Sequence, residues 1–227
     1  MKLIRLLDQK ETKALQTAIT ALKWKDGAGS ARGRAVKIKK NLQSYPDTEE
    51  FAPIQLLVET KIKELLQYLA FPQKIVGLRA SLYREGHGEY DWHVDMPTMQ
   101  GEVVDLSFTL FVSDQNAYEG GELEIDRDGT LYTVKGDSGE IVVYSSGDRH
   151  RVRPVVKGDR VVIVGWISSH VRNEADRNAL TSLQQVLGMI DEMQNAPADI
   201  GLIETKLEQA REILNDNLHR LIRSLSR

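Results

Sequence analysis

Apolar and polar positions change rhythm twice along the chain. Over the first seventy residues the period is helical. Leu15, Ile19 and Leu22 recur in steps of three and four after Asp8-Gln9-Lys10-Glu11, where acids three apart suit a capping box. Asp26-Gly27-Ala28-Gly29 interrupts the pattern. From Phe51 to Leu69 it resumes, with Ile54, Leu57, Val58, Ile62, Leu65, Leu66 and Leu69 on one stripe.

Residues 73–168 follow a two-residue rhythm, punctuated by turn signals such as Gly86, Gly101, Gly120-Gly121, Asp128-Gly129 and Gly158-Asp159. The clearest strand spans 103–112. Val104, Leu106, Phe108, Leu110 and Val112 form an apolar face, and Val103, Asp105, Ser107, Thr109 and Phe111 a mixed one. One greasy face and one hydroxyl-bearing face suit a barrel wall around a polar ligand. Further strands are expected at 75–84, 122–126, 130–135, 140–144, 151–156 and 160–168. So many short strands with frequent turns point to a sandwich or jelly roll.

From residue 172 the helical period returns. Leu180, Leu183, Leu187 and Ile190 form one stripe. After Ala196-Pro197-Ala198-Asp199 a second runs through Ile203, Leu207, Ala210, Leu214, Leu218, Leu221 and Leu225. The first reading is a helical hairpin packed on itself or on the barrel, and the alternative is a homodimer seam. The expected organisation is N-terminal helical support over 1–72, a β core over 73–170 and a C-terminal helical region over 171–227.

Composition narrows the chemistry. The chain has 227 residues, a net charge near −3 and no cysteine. Disulfides, zinc ribbons and thiol nucleophiles are excluded, and the overall field favours neither nucleic acid nor membrane. No apolar run is long enough to span a bilayer. The N-terminal run Met1–Asp8 is too short and too charged for a secretory signal, so the cytoplasm is the expected compartment.

Against this background His93 and Asp95 stand out. Two positions apart in an extended segment, they point the same way. His150 can complete a face of two imidazoles and one carboxylate, which leaves the opposite metal positions open and suits non-haem Fe(II). Arg160, expected on the strand next to that of His150, offers a positive fork for a carboxylate. Zinc is the metal alternative, but the His-Glu-x-x-His helix of hydrolytic sites is absent, and a redox-inert ion leaves Arg160 without a task.

Tyr83-Arg84-Glu85-Gly86-His87-Gly88-Glu89-Tyr90-Asp91-Trp92-His93-Val94-Asp95 resembles the first metal motif of Fe(II)/2-oxoglutarate dioxygenases of the prolyl 4-hydroxylase-like branch. Leu106–Asp114 with Gly120-Gly121-Glu122-Leu123 resembles the next segment, and His150–Val155 with Gly158-Asp159-Arg160 the last. The likeness is greatest to bacterial PKHD-type hydroxylases. It extends to Trp24-Lys25-Asp26-Gly27 with Ala35, Lys37, Lys40, Asn41 and Gln43, to residues 168–177 and to the C-terminal helices.

The resemblance implies a double-stranded β-helix (jelly roll, cupin-like) with flanking helices. It implies a hydroxylase that uses Fe(II), 2-oxoglutarate and O2, releases succinate and CO2, and takes ascorbate as a reductant. By position, His93, Asp95 and His150 bind iron, Arg160 pairs with the distal carboxylate of 2-oxoglutarate, and Tyr83 hydrogen-bonds that co-substrate. Ser107, Thr109 and Phe111 form a pocket wall, with Leu123, Val152 and Trp166 as further lining. Tyr83, Phe111 and Trp166 also read as plain barrel core.

The primary substrate is open: protein, peptide or small molecule. Lys23 to Lys40 carries seven basic residues (Lys23, Lys25, Arg32, Arg34, Lys37, Lys39, Lys40) against Asp26. That run reads as a solvated face or as an entrance for an acidic substrate. Nucleic-acid demethylases of this type carry a second arginine six residues after the first, where this chain has Trp166. A base-stacking platform is also thin in the basic run, with only Trp24. A non-catalytic metal- or ligand-binding barrel is the remaining alternative class.

Overall fold

The computed structural model describes residues 1–30, 38–195 and 200–225. Arg32, Arg34, Ala35, Lys37 and the 196–199 break fall outside the described residues, as do the side chains of Leu221 and Leu225. The chain forms two compact units. One comprises residues 1–65 and 72–169, the other residues 66–71 and 170–227.

The strands in chain order are β1 (Lys2–Arg5), β2 (Lys25–Asp26), β3 (Lys39–Lys40), β4 (Leu42–Ser44), β5 (Pro72–Tyr83), β6 (Glu89–His93), β7 (Thr98–Met99) and β8 (Glu102–Val103). They continue with β9 (Leu106–Phe111), β10 (Glu119–Gly120), β11 (Leu123–Arg127), β12 (Thr130–Val134), β13 (Glu140–Ser145), β14 (Arg149–Val152), β15 (Val155–Lys157) and β16 (Arg160–Ser169). A seven-stranded sheet runs in the order β1-β13-β9-β16-β5-β4-β2, and a five-stranded sheet in the order β12-β11-β14-β6-β3. All pairings within them are antiparallel. This is the expected jelly-roll class, with β14 and β16 in different sheets. Arg160 therefore approaches from the sheet opposite His150, and not from its neighbouring strand.

Two predicted strands are broken. The 151–156 run splits at Arg153-Pro154 into β14 and β15. Pro154 has no N–H to donate, and the chain changes partners there: β14 pairs with β11 and β6, β15 with β10. The 103–112 run divides at Val104-Asp105, where the backbone N–H groups turn to Pro97 and Ile167 carbonyls.

The first seventy residues contribute more than helix. Helix α1 (Gln9–Ile19) carries the capping box, with Asp8 accepting from the Glu11 N–H and Glu11 from the Asp8 N–H. Its buried face is Leu15 and Ile19. Helix α2 (Ala52–Leu65) buries Ile54, Val58 and Ile62, while Leu65 of the predicted stripe is exposed. Around these helices, β1, β2 and β4 extend the large sheet and β3 the small one. Such short pieces have no period of their own to read.

In the second unit, helices α3 (Glu174–Asn195) and α4 (Ile200–Leu225) pack together. Their buried positions are Arg177, Ala179 and Val186 on one helix and Ala210 and Asn217 on the other. Leu180, Leu187, Ile190, Leu207, Leu214 and Leu218 are exposed. Of the predicted stripes only Ala210 is buried among the described side chains, and Ala179, Val186 and Asn217 each lie one residue before a predicted leucine. No helix among the described residues is long and apolar enough to cross a membrane.

Candidate active site

The small sheet carries two of the expected metal donors. His93 ends β6, His150 lies within β14, and they are register partners on adjacent strands. Asp95 sits two residues beyond the end of β6. One donor atom from each of the three lies within 4.8 Å of the others, and this is the one such cluster among the described residues. His93 Nε2 is 3.9 Å from Asp95 Oδ1, and His150 Nε2 is 3.6 Å from Asp95 Oδ2.

Each donor is oriented from behind. His93 Nδ1 lies 2.8 Å from the Asp91 carbonyl and His150 Nδ1 3.0 Å from that of Asp148. A carbonyl only accepts, so both Nδ1 atoms carry the proton and both Nε2 lone pairs face the cluster. Burial, and then the neighbouring His150, push the His93 pKa down to about 4, so its ring is neutral near pH 7. Tyr90 stacks on His93 with centroids 3.6 Å apart, and Tyr144 meets His150 edge-on at 5.0 Å. Asp95 Oδ2 accepts from Ser107 Oγ at 2.6 Å and from the Trp166 indole N–H at 2.8 Å. Those donors come from β9 and β16, so the large sheet aims the carboxylate that completes the small sheet's pair.

Arg160 lies in the cavity that reaches this triad. It is 1% exposed. Its guanidinium sits over the rings of Tyr83 (5.0 Å) and Phe111 (5.7 Å). Gly121 makes room for it: its φ is +66°, and a Cβ there would lie 3.0 Å from Arg160 Cδ. None of the three guanidinium nitrogens makes a hydrogen bond among the described residues. The Tyr118 hydroxyl interacts with the guanidinium electrostatically without closing a bond of normal geometry. A buried cation with every donor open is costly on its own and suited to an arriving carboxylate.

The other sequence-predicted residues divide. Tyr83, Ser107, Thr109, Val152 and Trp166 line the cavity. Phe111 and Leu123 lie in the adjoining apolar cluster with Tyr83 and Val152. Sequence reading did not single out Arg79, Gln43, Ser81, Tyr90 or Tyr144 for the site, and it named Lys39 only within the basic run read as a solvated face or an entrance for an acidic substrate. Gln43, Ser81, Tyr90 and Tyr144 line the cavity, Lys39 lines both it and a cleft outside, and Arg79 lines the cleft. Counting back from Tyr83 by twos reaches Ser81 and Arg79 on the same face, a signal that was available. Burial, and then Arg79, push the Lys39 pKa down to about 7.

The donor set of two imidazoles and one carboxylate fits ferrous iron with positions left open. The open guanidinium of Arg160 fits the distal carboxylate of a keto acid. The profile of the 2OG-Fe(II) oxygenase superfamily matches residues 78–168. A PKHD-type hydroxylase of Prochlorococcus marinus strain MIT 9211 is 39% identical over 183 residues, covering 79% of this chain and 82% of that protein. One from Teredinibacter turnerae is 36% identical over 202 residues, covering 86% and 88%. The fold also matches a prolyl hydroxylase from Trichoplax adhaerens, solved with a hypoxia inducible factor peptide fragment, at a TM-score of 0.59 and 13% identity, covering 73% and 82%. The chain belongs to the PKHD-type hydroxylases of the 2OG-Fe(II) oxygenase superfamily, whose chemistry depends on Fe(II) and 2-oxoglutarate.

Proposed function

We propose that this enzyme couples oxidation of 2-oxoglutarate to hydroxylation of a carbon on a second substrate, with His93, Asp95 and His150 as the iron ligands and Arg160 as the co-substrate anchor. The observation that carries this reading is the buried Arg160, its three nitrogens unpartnered among the described residues, in the same cavity as the triad. Bound Fe(II) and 2-oxoglutarate supply the redox chemistry: one atom of O2 goes to the substrate hydroxyl and the other to succinate, with release of CO2.

The protein's part is positional. His93 and His150 turn their Nε2 atoms toward the cluster because the Asp91 and Asp148 carbonyls hold their other ring nitrogens. Ser107 and Trp166 fix the rotation of Asp95. Arg160 pairs with the far carboxylate of 2-oxoglutarate and so sets its orientation, while the Tyr83 and Phe111 rings pack beside the guanidinium without taking its donors. Burial raises the pKa of Tyr83, so its phenol stays protonated as a donor toward the co-substrate. Ser107, Thr109, Val152 and Trp166 act as lining, with Leu123 and Phe111 supporting it from the apolar cluster.

Anaerobic addition of Fe(II) and 2-oxoglutarate to the full chain is the direct test. A visible charge-transfer band that requires both additions, and vanishes in His93→Ala and His150→Ala, is the expected result. Succinate formation at the wild-type rate in those two variants removes the assignment.

A further inference from the structure

Outside the triad a cleft of about 380 Å³ opens beside Asp95, within the size range of small-ligand sites. It shares Lys39, Tyr90, Asp95 and Trp166 with the inner cavity, so a molecule in the cleft lies next to the triad. Its walls differ in chemistry. Val94, Met96 and Met99 give an apolar side, with Val94 and Met96 exposed. Lys39 and Arg79 give a cationic side, and they are only 8% and 9% exposed. The cleft's sole acid among the described lining residues is Asp95, whose Oδ2 is already taken by Ser107 and Trp166.

Arg79 is held in place. Its guanidinium sits between Tyr45 (5.8 Å) and Trp166 (4.7 Å), Nε donates to the Gly77 carbonyl at 2.9 Å, and Nη2 approaches Met99 Sδ at 3.7 Å. No carboxylate among the described residues lies within ion-pair distance of it. Lys39 Nζ lies 5.3 Å over the Tyr90 ring, which itself stacks on His93. The Arg79 guanidinium, withdrawn from water beside a reaction centre, carries a desolvation cost that an incoming anion offsets, and Lys39 adds a second basic group to the same wall.

We propose that this cleft recognises the primary substrate by a carboxylate, held by Lys39 and Arg79, with an apolar body against Val94, Met96 and Met99. This deepens the dioxygenase reading and rests on it. The substrate class is a carboxylate-terminated molecule with an aliphatic or aromatic portion: a small acid, or a peptide ending in its free α-carboxylate. The competing account makes Arg79 a strut between Tyr45 and Trp166, and it predicts no distinction between an acid and its amide.

The test uses the full chain loaded anaerobically with Fe(II) and excess 2-oxoglutarate, with the charge-transfer band reporting loading. Calorimetric titration then compares N-acetyl-leucine, N-acetyl-leucinamide and the phosphonate analogue of N-acetyl-leucine. The acid is expected to bind with the band intact, and the amide and the phosphonate at least about tenfold more weakly. Arg79→Gln and Lys39→Gln should each weaken acid binding by about tenfold, and Arg79→Lys should recover part of the loss. A tripeptide ending in leucine separates the two sources: tighter binding than N-acetyl-leucine assigns a chain terminus, weaker binding a small acid, and either supports carboxylate recognition. Equal binding of acid and amide, no binding of the acid, preference for the phosphonate, or loss of the band on adding the acid (displacement of 2-oxoglutarate from Arg160) overturns the proposal. If a variant loses the band, the wild-type comparison of acid with amide decides alone. If the wild type never forms the band, the dioxygenase reading fails and this proposal falls with it.

Discussion

Arg160 and Arg79 lie on neighbouring strands, each with its guanidinium over two aromatic rings, yet they present opposite kinds of edge. Arg160 leaves Nε, Nη1 and Nη2 without a hydrogen bond among the described residues. Arg79 ties Nε to the Gly77 carbonyl and sets Nη2 against Met99 Sδ. The inner arginine is held by packing alone, so its whole hydrogen-bonding fork is available to a ligand. The outer one is partly bound to the scaffold, so it offers charge more than geometry. Fixing a guanidinium by ring faces keeps its donors open, and fixing it by backbone bonds closes some of them.

The largest effect lies beneath both arginines. Alanine at His93, Asp95 or His150 should abolish substrate-dependent formation of succinate, measured by single-turnover assay. Retained turnover would leave the two arginines without a shared reaction to compare. Next is Arg160→Met. It should weaken 2-oxoglutarate roughly 30- to 1,000-fold, since a buried charge-assisted contact is worth on the order of 2–4 kcal/mol. Because it also removes an uncompensated buried charge, the ligand-free variant should melt no lower than wild type. Arg79→Met should instead lower stability by about 1 kcal/mol through loss of the Gly77 bond. Equal melting behaviour of the two variants would break the contrast.

A smaller effect is expected at Trp166, the residue that touches both regions. Trp166→Phe keeps an aromatic face for Arg79 but loses the 2.8 Å bond to Asp95. Metal affinity should fall about tenfold in an anaerobic titration. An unchanged affinity would mean that Ser107 alone orients the carboxylate.

The last effect is electrostatic and is read as a slope with pH. Lys39 is lowered from 10.5 to about 7, so between those values the unfolded chain binds a proton that the folded chain does not. Stability therefore rises with pH through that window, by at most about 1.4 kcal/mol per unit. Lys39→Met should be more stable than wild type at pH 7, and its advantage should shrink by pH 10. Denaturant titrations at the two pH values check this, and a constant difference would place the Lys39 ammonium in water.

The same contrast explains what could be read from the sequence. The two-residue alternation around Ser107 and Thr109, the His93–Asp95 spacing and the later His150 and Arg160 are local patterns, and they were legible. So was the capping box at Asp8 and Glu11. Lys39 reaches the site because β3 pairs Lys39 with Tyr90, fifty-one positions away, and such a pairing leaves no local trace. Arg79 was reachable by alternation from Tyr83 and was not singled out. The β14–β15 break had a visible cause in Pro154, yet hydrophobic content alone argued for one continuous strand. The C-terminal helices were legible as a hairpin, but of the buried positions only Ala210 stood in a predicted stripe, since leucines mark a stripe more loudly than Arg177, Ala179, Val186 and Asn217.

His93 and His150 face each other from adjoining strands of the five-stranded sheet. Anything bridging the two rings also fastens those strands, so the folded chain is favoured by mass action as the ion becomes more abundant. With His93 and His150 as the proposed iron ligands, iron supply would then govern how long the polypeptide resists proteases as well as how fast it works, and a metal-starved preparation should be nicked first around the β6–β14 clasp.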